Sequence, residues 1–141
     1  MTDLRSDSAA HARSVIEEAW LEAHKHKWIE SQKRGYDLGE AAIRDWFQRY
    51  WNVFWKRKFV QHMHGQVFWR EFSSDKFGVL QTFPFHLDTT YQFVLDLFYD
   101  GTENLLILNM ALATGLPMGA VQNMLHLIDM NNSRVDSPYR C

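Results

Sequence analysis

Residues 37–63, DLGEAAIRDWFQRYWNVFWKRKFVQHM, decide the fold. They hold three of the six tryptophans and the densest aromatic run in the chain. Asp37 and Glu40 have the spacing of a capping box, in which the aspartate accepts an orphan amide and the glutamate reaches back. Gly35 suits the left-handed end of a preceding helix. At about 100° per residue, Ile43, Trp46, Phe47, Tyr50, Trp51, Val53 and Phe54 share one broad face. Arg44, Asp45, Gln48, Arg49 and Asn52 share the other. Each aromatic on that face can remove roughly 150–250 Å² from water, so this helix is expected to nucleate the core.

The phase breaks after Phe54. Arg57 and Lys58 rotate into the apolar arc, and Trp55 and Phe59 rotate out of it. Either the helix bends or its second half faces something else. One reading lays the long cationic stems along apolar surface. The other makes Trp55, Lys56, Arg57, Lys58, Phe59 and His62 an exposed basic-aromatic patch for a partner.

Working outward, residues 1–7 read as frayed, and residues 8–34 as a helix with Ala12, Ile16, Ala19, Trp20, Ala23 and Ile29 at helical spacing. Glu17, Glu18 and Glu22 come early and Lys25, Lys27, Lys33 and Arg34 late, which suits the helix dipole. The short link at Gly35-Tyr36 predicts an antiparallel helical hairpin over residues 8–64. Gly65 stops the second helix. Alternation of Val67 and Trp69 with Phe68 and Phe72, then a Ser73-Ser74-Asp75-Lys76 turn, predicts a β-hairpin over 66–83. Residues 87–131 read as three helices. The first is capped by Asp88 and carries Tyr91, Val94, Leu95 and Phe98; the second is capped by Thr102; the third starts at Pro117. Residues 132–141 read as a loose tail. The expectation is mainly α, in one compact domain.

At 141 residues the chain can bury a real core. Its net charge of −2 argues against a general polyanion binder. Residues 1–83 carry 13 basic and 11 acidic side chains, and residues 84–141 carry 2 and 6. Any basic surface therefore lies in the first part. The single cysteine, Cys141, excludes an internal disulfide framework and a multi-cysteine zinc site, and fits a reducing, cytoplasmic setting. No signal peptide is read at the start, and no membrane span is expected in the uncharged stretch 104–128, which reads as buried helices.

Ala111, Gly115, Leu116, Val121 and Met124 have the spacing of a helix-turn-helix, and residues 102–130 resemble the DNA-binding motif of bacterial regulators. Gln122, Asn123 and His126 would then meet base edges. Yet no Lys or Arg occurs from residue 77 to 133, so the unit offers none of the phosphate neutralisation that carries DNA affinity. The pairs His24/His26 and His62/His64 sit two residues apart, which on a helix points the rings about 200° apart. They suit a metal only if dimerisation brings them together. No phosphate loop, nucleophile elbow or His-Glu-x-x-His is present, and no cofactor is expected. Residues 26–46 (His26, Trp28, Ser31, Gly35, Asp37, Gly39, Ala42, Trp46) resemble a segment of uncharacterised bacterial proteins. That resemblance implies no activity, but suggests Trp28 packing on Trp46 across the corner.

The expectation is a non-enzymatic interaction or regulatory protein that docks a protein partner or a second copy of itself. Its motivating features include the adaptable apolar surface of Met63, Met110, Met118, Met124 and Met130. Nucleic-acid binding through Lys56, Arg57 and Lys58 or the helix-turn-helix comes second. A histidine-dependent metalloenzyme assembled on dimerisation comes third.

Overall fold

A computed structural model describes residues 13–82, 89–128 and 134–139. These form five α-helices: α1 (Val15–Arg34), α2 (Glu40–Met63), α3 (Thr89–Tyr99), α4 (Asn104–Ala113) and α5 (Met118–Ile128). The protein is mainly helical and compact, and one hydrophobic core draws on every helix. The expectations at Ala12, Asp88, Met130 and Cys141 lie outside the described residues.

α1 and α2 form the expected antiparallel hairpin and make the most extensive helix contact. α1 buries Val15, Ala19 and Ala23, a stripe of small residues at i, i+4, i+8 that lets α2 approach closely. Ile29 is 38% exposed. The corner is built differently from a capping box. The N-cap of α2 is Gly39, at φ 65° and ψ −149°, with no side-chain cap. That backbone state is reserved for glycine. Asp37 turns back to accept the Gly39 N–H at 2.9 Å instead of capping the helix. Ser31 ties the corner, accepting the Gly35 N–H on its carbonyl and the Leu38 N–H on its hydroxyl.

Residues 66–83 do not form a β-hairpin: no strand occurs among the described residues. Two short 3-10 turns, Ser74–Lys76 and Val79–Thr82, occupy the segment, with one isolated bridge between Arg13 and Trp69. The alternation fails because Trp69, Phe72 and Leu80 all turn into the same core, at spacings that no single strand face provides. The segment also closes the start of α1. Ser14 caps the helix by accepting the Glu17 N–H. Glu71, 56 residues further on, accepts the Val15 N–H at 2.7 Å and the Ser14 hydroxyl at 2.5 Å.

α2 runs unbroken to Met63. Its spine of Ile43, Phe47, Trp51, Trp55, Phe59 and Met63 is buried throughout. Steps of four residues advance the spine by about 40° each, so it winds about 200° around the helix. The upper half therefore meets α1, and the lower half meets α3 and the irregular segment. Tyr50 and Val53 fall outside this winding stripe and are 45% and 37% exposed. Residues 134–139 are not a loose tail. The Val135 carbonyl accepts the Trp51 indole N–H at 3.0 Å, and Tyr139 stacks on Phe47.

The remote cap gives a direct test. Glu71→Ala is expected to cost about 1–2 kcal/mol of unfolding free energy, read from chemical denaturation. Ser14→Ala should add less in the double variant than alone, because the two side chains share one bond network. An unchanged midpoint in Glu71→Ala would show that the cap contributes nothing.

Candidate functional site

The winding of α2 settles where the basic-aromatic residues lie. Trp55, Phe59 and His62 are core residues, each at most 1% exposed. Trp55 meets Phe72 and Phe98, and Phe59 meets Phe72 at 4.8 Å between ring centroids. Lys56 is also buried, Lys58 is half-buried, and only Arg57 is exposed. The cations lie on rings of the same molecule: Arg57 over Tyr99 at 4.8 Å, Lys58 over Phe54 and Trp69 at 5.0 and 5.1 Å, and Lys56 over Phe98 at 5.3 Å. The six residues therefore make no single exposed patch. Burial of the spine at the far side of the helix is the reason, and the cationic stems cover its edge.

His62 is the chemical centre of this region. Its Nδ1 accepts the Trp69 N–H at 3.2 Å, and its Nε2–H donates to the Ser73 carbonyl at 2.8 Å. Phe68, Phe72 and Phe77 surround the ring. Both nitrogens are committed to backbone, so the ring is neutral and has no lone pair left for a metal. Burial holds its pKa below the ordinary 6.5, opposed by the bond to Ser73. His64 meets the Tyr91 hydroxyl, and burial pushes that phenol up to about 12. His26 lies 3.1 Å from Asp45, which also pairs with Arg49. No group of three metal-ligating side chains occurs among the described residues.

Two surfaces stand out instead. The first is α4, which exposes Leu105 (69%), Leu106 (52%), Met110 (37%) and Leu112 (66%) while burying Ile107 and Ala111. The sequence reading put this helix in the interior because it lies in an uncharged stretch. One half of it is in contact with the rest of the chain, chiefly α5. The second is a groove of about 620 Å³ at the hairpin corner, beside Trp28, Gln32 and Tyr36. Trp28 does not pack on Trp46. It lies about 140° around α1 from Ala23 and is 65% exposed, while Trp46 meets Phe47 and Phe54.

In the helix-turn-helix-like unit, Ala111, Val121 and Met124 are buried anchors, and Gln122, Asn123 and His126 are exposed. No helix among the described residues is long and apolar enough to cross a membrane. Comparison with protein-family models, curated proteins and solved structures finds no match to this chain.

The buried imidazole predicts a pH dependence. Its folded-state pKa is depressed, so the unfolded chain takes up the proton first as pH falls. The His62 contribution is complete above 6.5 and is lost as pH drops from there towards the folded value. The melting temperature should therefore fall on acidification below 6.5. His62→Gln keeps an acceptor for Trp69 and a donor for Ser73 and should melt lower but with a shallower slope. Parallel slopes in the two proteins would assign the acid sensitivity elsewhere.

Proposed function

We propose that this chain is a non-enzymatic interaction module that pairs with a second copy of itself through the exposed face of α4. One observation carries this reading: Leu105, Leu106, Met110 and Leu112 stand in solvent on a helix with no charged residue. A cluster of large apolar side chains on one helix face is normally covered. No Lys, Arg, Asp or Glu occurs from residue 104 to 128, so two copies of this surface meet without like-charge repulsion. Around the helix, the exposed arc runs from Leu112 and Leu105 through Asn109 to Leu106 and Met110. Asn109 is near the middle of the helix, where a two-fold axis would set it against its own copy, and an amide pair there fixes register.

The area is modest. A standard interface takes about 800 Å² from each partner, more than one face of a three-turn helix supplies. Weak, concentration-dependent association is expected of an interface of this size. The same argument disfavours duplex DNA at the α4–α5 unit, which lacks cations for phosphate contacts.

Sedimentation equilibrium should show a concentration-dependent approach to twice the 16.7 kDa of one chain. Leu106→Glu with Leu112→Glu should abolish it and leave the melting temperature of the monomer unlowered, since both side chains are exposed. A single-chain mass at hundreds of micromolar would overturn the reading.

A further inference from the structure

A second feature lies where α2, the start of α4 and the 134–139 segment meet. A cleft of about 520 Å³ opens there, lined by Trp55, Lys56, Glu103, Asn104, Leu105 and Arg134. Lys56 is only 6% exposed, because the winding of α2 carries position 56 into the buried arc. Its ammonium lies against the cleft wall: a Cβ added at Gly101, another lining residue, would sit 3.6 Å from Nζ. Among the described residues no carboxylate comes within 4.0 Å of it; the Phe98 and Trp55 rings are its close company. A buried cation held by ring faces alone is costly. Beside it, the Trp55 indole N–H is buried and has no hydrogen-bond partner among the described residues.

The other groups on this cleft carry both signs of charge. Glu103, the N-cap of α4, makes no side-chain cap bond. A helix start of this kind favours negative charge. Arg134 adds a guanidinium that also reaches Asp136 at 3.3 Å. Burial first, then Arg134, lowers the Lys56 pKa, and Asp100 opposes them. Arg134 is paired with Asp136, so Lys56 is the one lining cation with no carboxylate within 4.0 Å among the described residues, although Glu103 lines the cleft and Asp100 is nearby. That suits a single negative charge better than a dianion. Leu105 and the Trp55 indole give the cleft an apolar wall, and its size falls in the usual small-molecule range of roughly 300–1,000 Å³.

We propose that this cleft binds a small organic monocarboxylate, its charge on Lys56 and Arg134 and its apolar body against Leu105 and the Trp55 ring. The cleft shares Leu105 with the proposed pairing face, but Leu106 and Leu112, whose substitution would abolish pairing, do not line it, so the two readings are tested separately.

The test is NMR of the full ¹⁵N-labelled chain, with the Trp55 indole signal assigned through Trp55→Phe. Benzoate should shift that signal saturably, and the neutral isostere benzamide should not. Lys56→Met keeps the apolar stem and removes the charge; it should weaken benzoate by about tenfold or more without lowering the melting temperature. Arg134→Gln, at a side chain 65% exposed, should also weaken binding and carries the test if Lys56→Met misfolds. The proposal is overturned if benzoate, acetate and butyrate all fail to saturate, if benzamide binds equally, or if both variants bind benzoate undiminished. It is also overturned if inorganic phosphate binds more tightly than every carboxylate.

Discussion

The structure depends on one buried imidazole. Residues 64–82 leave the end of α2 with only two short 3-10 turns and no sheet, so many of their backbone groups need partners from elsewhere. His62 meets several of them. Its ring bonds the Trp69 amide and the Ser73 carbonyl, and its own carbonyl accepts the Gly65 and Gly78 amides. With the backbone satisfied there, Trp69, Phe72 and Leu80 turn inward and seal the lower half of α2. The same segment also caps the neighbouring helix at this open end of the hairpin, where Glu71 closes the start of α1. A neutral histidine thus does for this segment what a neighbouring strand would do in a sheet.

The helical hairpin, the turn glycines and the buried face of α3 were legible in the sequence, because 3.6-residue periodicity and glycine stops are local signals. The β-hairpin was misread for an equally physical reason. Alternating aromatics report only that a segment is half-buried, and the partner that replaced strand pairing was a histidine on the preceding helix. The start of α1 depends on a carboxylate 56 residues away, so no local pattern reveals it. At the corner, the spacing of Asp37 and Glu40 suggested a cap, but Gly39 has the only backbone able to make that entry.

Of the two readings of the basic-aromatic residues, the one that lays the cationic stems along apolar surface fits their ring contacts, while Trp55, Phe59 and His62 lie in the core. A fixed arc of about 100° per residue suits a helix with one neighbour. α2 has two neighbours on opposite sides, so its stripe must wind. The residues that seemed to leave the core were following it, and Lys56 was carried along with them. The exposed half of α4 left a fainter signal: an uncharged stretch does not say which half of its helix is covered. The cleft was not visible at all, since its lining comes from three separate parts of the chain.

The winding stripe also sets how this protein can change length. Inserting or deleting one residue near Phe54 would turn the lower half of α2 by about 100° against the upper. Trp55, Phe59 and His62 would then swing off α3 and the irregular segment while the α1 contact stayed in place. Surface loops absorb length changes freely, but this helix works as a crankshaft with its throws set at fixed angles. Its length is therefore expected to be held constant among descendants of this chain, even where nearly every exposed residue on it has been exchanged.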